Sequence, residues 1–332
     1  MPGGVWEKSP ACQQVMKAGA MAETGDLWYY FWGKMRDMLD KRGLRVSGWE
    51  EAGLRKTQLD GNTHYLPNPD FADDHFRMYV WNNVLGWGAE DLAYRMANAG
   101  YPVVLGPVSN LYFDMAYQKD FNEPGYYWGA YADVDKAFGF VPFDYFKTAN
   151  EDLLGNPINP AIFIGKSRLT EYGKKNILGL EGLIWAETLN GPASLEYMVF
   201  PKVLGLAERA WAPAPVWETT QDKALFQKQY AESWSQFANQ LGKRELPRLD
   251  AYAGGFQYRI PPPGAVVRGG KLYVNQQLPG FALRYTTDGS APTTGSALYT
   301  GPVAVPANGV IKIRAFDTRG RGGRVMDLSV RP

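Results

Sequence analysis

Short apolar segments alternate with amphipathic segments between residues 26 and 211, and this alternation restricts the fold more than any other feature. Strands are predicted at Leu44–Trp49, Met78–Trp81, Pro102–Leu105 and Ile177–Trp185. Helices are predicted at Asp26–Arg42, Ala89–Asn98 and Leu195–Trp211, where apolar side chains recur at helical spacing. Strands that alternate with helices form parallel βα units, and four such units make half of an eight-stranded barrel. The pattern therefore predicts an α/β fold with a partial TIM (β/α)8 barrel.

The composition changes after Pro247. A polar helix is predicted from about Thr220 to Leu241, and Pro261-Pro262-Pro263-Gly264 then opens a region of short alternating segments. The clearest of these predicted strands are Lys271–Asn275, Ala282–Thr286 and Val310–Phe316. They predict a small C-terminal all-β sandwich. The expected domains are thus a barrel part at 1–245, a linker at 246–257 and a sandwich at 258–332.

Charge and composition exclude several classes of function. The 35 basic and 34 acidic residues leave a formal net charge of +1, so no bulk field attracts nucleic acid or an anionic membrane. One cysteine excludes an internal disulfide, and two histidines make a structural zinc site improbable. We expect no metal, no other cofactor, no nucleic-acid partner and no membrane span.

Aromatic and acidic residues follow the ends of the predicted strands. The four groups are Trp49-Glu50-Glu51, Trp81-Asn82-Asn83, Tyr112-Phe113-Asp114 and Trp185-Ala186-Glu187. The carboxyl ends of barrel strands meet at one face, where active sites lie. Aromatic faces suit the apolar faces of a pyranose, and carboxylates accept hydrogen bonds from its hydroxyl groups. The four groups together predict a pocket for a neutral sugar.

Several motifs resemble glycoside hydrolase family 20, the β-N-acetylhexosaminidases, over about residues 5 to 245. They are Gly48-Trp49-Glu50-Glu51, Leu111-Tyr112-Phe113-Asp114 with Trp128-Gly129, Gly179–Glu187, and Phe200-Pro201 leading to Leu206–Trp211. The segments Arg284–Pro292 and Leu298-Tyr299 resemble the small C-terminal sandwich of chitobiase-type members. The resemblance implies that the barrel part corresponds to about strands 5 to 8.

The resemblance also implies roles for residues around the acetamido group of a bound sugar. Tyr112 is expected to hydrogen-bond the acetamido oxygen, which acts as the nucleophile, and is therefore the predicted catalytic residue. Trp49, Trp81 and Trp185 are expected to surround the acetamido group. These residues would bind terminal N-acetylhexosamine on a glycan or a chitooligosaccharide.

Three further residues are expected to bind the rest of the sugar. Asp114 and Glu187 would hold the outer hydroxyl groups of the non-reducing-end ring. Trp128 resembles the tryptophan that stacks on the next sugar. The implied reaction is retaining hydrolysis through an oxazolinium ion, which members of this family use in place of a carboxylate nucleophile.

One departure from the family changes the expected activity. The family's catalytic Asp-Glu pair lies in a His-x-Gly-Gly-Asp-Glu motif just before a segment that resembles Gly4–Pro10, and this sequence does not contain that motif. A general acid contributes about 10² to 10⁴ in rate, so we expect the chain alone to be inactive. Half a barrel would leave open strand edges, from which we expect self-association.

The chitobiase-like sandwich implies an exported bacterial parent, periplasmic or secreted, although no signal-peptide pattern is present.

Two other interpretations of the pocket remain open from the residues. The protein could bind N-acetylhexosamine without catalysing any reaction. It could also be a retaining glycosidase of another type, with Asp114 and Glu187 as nucleophile and acid if their carboxyl groups lie about 5 Å apart.

One further motif lies outside the pocket. Asp73-Asp74-His75 could form a metal or acid-base cluster, but a solvated loop is the favoured interpretation.

Overall fold

A computed structural model describes residues 4–330 of the chain, which form two compact units. Its helices are α1 (Val5–Lys8), α2 (Pro10–Ala18), α3 (Asp26–Asp40), α4 (Leu92–Ala99), α5 (Val108–Leu111), α6 (Val134–Phe138), α7 (Glu171–Lys174), α8 (Pro192–Val199), α9 (Lys202–Trp211), α10 (Lys223–Gln240) and α11 (Leu246–Ala251). Its strands are β1 (Val46–Trp49), β2 (Leu54–Leu59), β3 (Asn62–Pro67), β4 (Phe76–Val80), β5 (Val103–Leu105), β6 (Ile177–Leu180), β7 (Gly264–Arg268), β8 (Lys271–Asn275), β9 (Ala282–Thr286), β10 (Ala297–Leu298), β11 (Val303–Ala304), β12 (Gly309–Phe316) and β13 (Met326–Val330). The first unit contains the residues up to 132 and 139–183, and the second contains 133–138 and the residues from 184 onward.

A parallel sheet organises the first unit. Within residues 4–330 its strand order is β1-β4-β5-β6, and Trp49 lies opposite Tyr79 while Leu105 lies opposite both Val80 and Leu180. Helix α4 lies between β4 and β5, and α5 to α7 lie between β5 and β6, as the alternating pattern predicts, whereas β1 and β4 are joined through the β2–β3 pair. The α/β class is confirmed, and the described strands form an open sheet that corresponds to part of a barrel.

The core of the first unit lies between this sheet and helix α4. Phe76 and Met78 from β4, and Tyr94 and Met96 from α4, have no exposed surface. Helix α4 ends where Gly100 takes a left-handed conformation with φ of 107°, which glycine adopts without strain. The apolar face predicted for this helix is therefore the face that packs on the sheet.

The predicted element types agree with the structure, while their ends differ by a few residues. Helix α3 begins at Asp26 as predicted and ends at Asp40. The largest difference is at β6, which ends at Leu180 and not at Trp185. Beyond it, Leu183 forms a parallel bridge with Tyr112. The apolar sequence continues beyond Leu180, but the backbone there pairs with Tyr112 and no longer with β5.

A hairpin formed by β2 and β3 was not predicted from the sequence. Leu59 pairs with Asn62 across a two-residue turn at Asp60 and Gly61, whose φ angles are 51° and 76°. Positive φ at both turn residues is the geometry that favours Asp-Gly. The dipeptide was the available signal, but the flanking strands are polar and therefore lack the apolar alternation used to predict strands.

Two helices form where one was predicted at Leu195–Trp211. Helix α8 ends at Val199, Phe200 is extended, and α9 begins at Lys202. Pro201 has no N–H group for an i to i−4 bond and disfavours a helical conformation at the preceding residue. The Phe200-Pro201 pair therefore separates the two helices.

Two antiparallel sheets form the C-terminal part of the second unit. The sheet orders within the described residues are β10-β9-β12-β13 and β11-β8-β7. Leu272 from β8 and Ile311 and Ile313 from β12 share one buried core. The predicted strands at Lys271–Asn275 and Ala282–Thr286 are confirmed, as is a small all-β region after the α/β region.

Helices α10 and α11 pack against this β region within the second unit. Leu241 and Leu246 are 1% exposed and share a core with Tyr258, Leu278 and Ala315. The predicted linker 246–257 therefore begins with a helix whose first residue is buried in that core. The domain boundaries inferred from sequence remain predictions.

Candidate functional site

Three of the predicted site residues lie at the carboxyl-end edge of the parallel sheet. Trp49 is the last residue of β1, and Trp81 directly follows β4. Tyr112 follows α5, which itself follows β5, and its bridge to Leu183 continues the sheet edge beyond β6. Because these strands are parallel, their ends bring the three side chains to the same side of the first unit.

Trp81, Tyr112 and Trp128 form an aromatic cluster. The ring centroids lie 6.4 Å apart for Trp81 and Tyr112, 5.9 Å for Trp81 and Trp128, and 6.2 Å for Tyr112 and Trp128. Trp128 stands nearly perpendicular to the other two rings, at 76° and 81°. Tyr112 is 4% exposed and Trp128 is 39% exposed. Trp49 packs on the same apolar core as Trp81 and Tyr112.

Backbone hydrogen bonds hold the loop that carries Trp128. Tyr126 N–H donates to the Asp114 carbonyl at 3.1 Å, and Ala116 N–H donates to the Tyr126 carbonyl at 2.6 Å. Gly129 lies so close to Val108 that a Cβ at this position would be 2.6 Å from a methyl carbon of Val108. Glycine therefore permits the close approach that places Trp128 against the cluster.

The predicted hydroxyl-binding residues lie in different environments. Asp114 is 1% exposed in the first unit. Glu187 is exposed and Trp185 is 39% exposed, and both belong to the second unit. The structure brings Trp49, Trp81 and Tyr112 onto one core and places Trp128 against Trp81 and Tyr112, while the sugar-binding roles of all seven residues remain predictions.

Glu50 is a buried residue whose role was not predicted from the sequence. The residue is 2% exposed, and its two carboxyl oxygens accept hydrogen bonds from the backbone N–H groups of Trp81 at 3.0 Å and Asn82 at 3.1 Å. Burial, reinforced by the charge of Glu51, raises the pKa of Glu50 to about 8 against the opposing effect of these N–H groups. Glu50 thus joins the end of β1 to the backbone of Trp81. Its position directly after a predicted strand was the available signal.

Two further contacts position the segment after β4. The Asn83 amide donates to Ser109 Oγ at 2.6 Å and accepts the Ser109 N–H at 3.2 Å. Trp87 stacks on Trp128 with a centroid distance of 6.1 Å and an interplanar angle of 23°, although 55% of Trp87 is exposed. Trp87 was not singled out from sequence, because it lies six residues beyond the predicted strand end.

The structure shows surface ion pairs at Asp73-Asp74-His75. His75 Nδ1 lies 2.7 Å from Asp40 Oδ1, and its Nε2 lies 3.5 Å from Asp74 Oδ1. Throughout residues 4–330, no three His, Cys, Asp or Glu side chains are grouped so that they could hold a metal ion. In the same part of the chain, none of the helices has both the length and the hydropathy that crossing a bilayer requires.

Comparisons with known proteins match both parts of the chain. The family model for the catalytic domain of glycosyl hydrolase family 20 matches residues 1–214. The model for the chitobiase/beta-hexosaminidase C-terminal domain matches residues 245–325. These matches agree with the resemblance of the sequence motifs on both sides of residue 245.

Two curated bacterial proteins are similar along most of the chain. A beta-hexosaminidase of Vibrio vulnificus is 30% identical over 98% of this chain and 38% of its own length. The N,N'-diacetylchitobiase of Vibrio harveyi is 35% identical over 85% of this chain and 31% of its own length. The chain thus spans 31% to 38% of the length of these relatives.

A solved structure is also similar to this chain. It is the family 20 exo-β-N-acetylglucosaminidase of Vibrio harveyi in complex with N-acetylglucosamine. It is 26% identical to this chain, with 78% of this chain and 31% of that chain covered and a TM-score of 0.49. On the match of the family model to residues 1–214, the chain belongs to glycosyl hydrolase family 20.

Proposed function

We propose that this chain is part of a β-N-acetylhexosaminidase that removes terminal non-reducing N-acetylhexosamine from glycans or chitooligosaccharides. The observation that carries the proposal is the aromatic cluster of Trp81, Tyr112 and Trp128 at the carboxyl ends of parallel strands. Family membership and the names of the Vibrio relatives support the reaction class. The proposed mechanism is retaining and uses the acetamido oxygen of the substrate as nucleophile.

The proposed roles follow from chemistry and position. The Tyr112 hydroxyl donates to the acetamido oxygen, while Trp49, Trp81 and Trp185 enclose the acetamido group. A buried ring such as Tyr112 loses little rotamer freedom on binding, so its hydroxyl group is already oriented. The partly exposed Trp128 offers its remaining surface to the next sugar.

The outer hydroxyl groups of the same sugar are proposed to bind two carboxylates, Asp114 and Glu187. A carboxylate accepts hydrogen bonds from neighbouring hydroxyl groups at roughly twice the strength of a neutral acceptor. This proposal assigns them to binding and not to nucleophile and acid. We further propose that the protein acts in the periplasm or outside the cell. Fractionating the cells that produce it, and detecting the protein in each fraction with an antibody, tests this location.

The binding half of the proposal is tested on the 332-residue chain itself. Isothermal titration with N-acetylglucosamine should show binding, and Trp81→Ala should weaken it about tenfold or more, because a central aromatic contact is worth above about 1.4 kcal/mol. Tyr112→Phe should weaken it about threefold to tenfold through the loss of one hydrogen bond. Trp211→Ala removes an 88% exposed ring and is the matched control. Unchanged affinity in both site variants would contradict the proposal.

The catalytic half is tested in a chimera. The chain replaces the matching segment of the Vibrio harveyi N,N'-diacetylchitobiase, and turnover of 4-nitrophenyl N-acetyl-β-glucosaminide is measured. We expect turnover by the chimera, no turnover by the chain alone, and a loss of about 10² in kcat with Tyr112→Phe, the size expected for one transition-state hydrogen bond. A folded chimera that binds N-acetylglucosamine without turnover would instead support the non-catalytic alternative.

A further inference from the structure

A large cavity lies in the first unit, outside the aromatic cluster. Its volume is about 950 Å³, and we call it the hairpin cavity after the β2–β3 hairpin that forms one wall. Trp28 from α3, Trp87 and the start of α4 complete the lining together with Ile164–Lys166. The volume is at the upper end of the range of about 300 to 1,000 Å³ that small-molecule sites occupy.

Three aromatic side chains line the hairpin cavity. Trp87 is 55% exposed and Tyr65 is 46% exposed, so both offer open ring surface. Trp87 stacks on Trp128, and Trp28 Nε1–H donates to the Glu51 carbonyl at 3.1 Å, which fixes each tryptophan. Exposed aromatic rings that the fold holds in place are suited to stacking on a flat ligand face.

The charges around the hairpin cavity are largely compensated within the protein. Arg95 pairs with Asp91 at 3.0 Å and also donates to the Tyr65 carbonyl at 3.2 Å. Lys166 pairs with Glu90. Glu50, whose raised pKa keeps its carboxyl group mostly protonated at neutral pH, contributes little charge. With its lysine and arginine paired, the cavity favours a neutral ligand over a phosphate.

Polar side chains also line the cavity. Asn82 and Thr63 line the cavity, and exposed Glu51 adds a carboxylate that can accept hydrogen bonds from hydroxyl groups. The combination of aromatic surface, compensated charge and neutral polar groups matches a carbohydrate.

The hairpin cavity adjoins the aromatic cluster through two shared segments. Asn82 lines the cavity and directly follows Trp81, and Trp87 lines it and stacks on Trp128. We propose that the hairpin cavity is a second carbohydrate site, which binds further sugar units of a neutral N-acetylhexosamine oligosaccharide. The choice of sugar rests on the proposed function, while the site itself rests on the cavity's own lining.

The test measures the affinity of the chain for triacetylchitotriose and for N-acetylglucosamine by isothermal titration. Tyr65→Ala should weaken trimer binding about tenfold, the loss of one central aromatic contact, and leave monosaccharide binding unchanged. Ile164→Arg, which puts a long side chain at an 83% exposed lining position, should also weaken trimer binding. Tyr30→Ala is the matched control, because Tyr30 is 43% exposed on α3 and does not line the cavity.

The outcomes separate this inference from the proposed function. Trimer binding that depends on Tyr65 supports the second site, even if the monosaccharide does not bind and the proposed function fails. Trimer binding that neither Tyr65→Ala nor Ile164→Arg changes overturns the second site while leaving the proposed function intact. Absence of trimer binding also overturns it. Circular dichroism of both variants confirms that they remain folded.

Discussion

At the scale of single residues, Glu50 has the clearest unforeseen role. This residue is 2% exposed, and its carboxyl group accepts hydrogen bonds from two backbone N–H groups, those of Trp81 and Asn82. It thereby holds the backbone at Trp81, whose ring contacts both Tyr112 and Trp128. Burying a carboxylate costs free energy unless it is protonated or well paired. Glu50 therefore couples the conformation of the aromatic cluster to protonation.

Glu50→Gln should change how stability depends on pH. The folded-state pKa of Glu50 is raised from 4.5 to about 8, so the folded protein holds a proton that the unfolded chain releases. The stabilisation from this proton is fully present below pH 4.5 and is lost as the pH rises to about 8. The glutamine side chain does not titrate, so the variant does not lose stability in this way. Between pH 5 and pH 8, the free energy of unfolding of the variant should therefore rise relative to that of the wild type by about 1 kcal/mol or more.

Urea unfolding at a series of pH values measures this difference. Glu232→Gln, on the exposed surface of α10, is the matched control for replacing a glutamate by its amide. At low pH Glu50→Gln should be less stable than wild type by about 1 to 3 kcal/mol, because one of the two backbone N–H groups loses its acceptor. A constant difference across the pH range would show that Glu50 does not titrate as described.

At the scale of elements, a turn of π-helix joins α10 to α11 at a tight contact. Leu241–Glu245 forms this turn, and Gly242 lies against Pro279 in the loop between β8 and β9. A Cβ on Gly242 would lie 1.9 Å from the Pro279 carbonyl oxygen. A Cβ on Gly280, whose φ is 104°, would in turn lie 2.4 Å from the Gly242 carbonyl oxygen. The helix and the β region can pack here because neither glycine has a side chain.

Gly242→Ala should destabilise the second unit. A backbone carbonyl cannot move away as a flexible side chain can, so the helix must shift, at a cost of about 1 to 3 kcal/mol or more. Gly33→Ala in α3 is the matched control, since a Cβ there meets nothing within 4 Å and should stabilise its helix by up to about 1 kcal/mol. Urea unfolding followed by circular dichroism compares the two variants. Equal stability of Gly242→Ala and the wild type would refute the close contact.

At the scale of the whole molecule, the outer strands of the parallel sheet are the feature that bears on association. Among residues 4–330, β1 and β6 each have a single neighbouring strand in the sheet. Leu178 on β6 is 51% exposed. Unpaired edges of a parallel sheet are templates for pairing with another chain. The proposal that the chain self-associates rests on this arrangement.

Leu178→Lys should weaken that self-association. A lysine on an edge strand disfavours the approach of a second strand, and we expect the dissociation constant to rise about tenfold, equivalent to about 1.4 kcal/mol. Sedimentation velocity over a range of concentrations measures the change. Leu225→Lys, at a 46% exposed position on α10, should have no effect. A chain that is monomeric at every concentration would contradict the proposal.

The sequence alone was sufficient for features that depend on local patterns. The α/β class, the helix beginning at Asp26 and the strands at Lys271–Asn275 and Ala282–Thr286 follow from the spacing of apolar side chains along a few turns or strand residues. Positions at the ends of parallel strands also indicated that Trp81 and Tyr112 would meet, because strand direction brings those ends together.

Only the tertiary structure decided which distant residues touch. The Glu50 carboxyl bonds to Trp81 and Asn82, the stacking of Trp87 on Trp128, and the approach of Gly242 to Pro279 each join segments whose separation has no periodic signal in sequence. The assignment of residues 133–138 to the second unit is of the same kind. Such contacts depend on how whole elements pack, and the same local pattern is compatible with many packings.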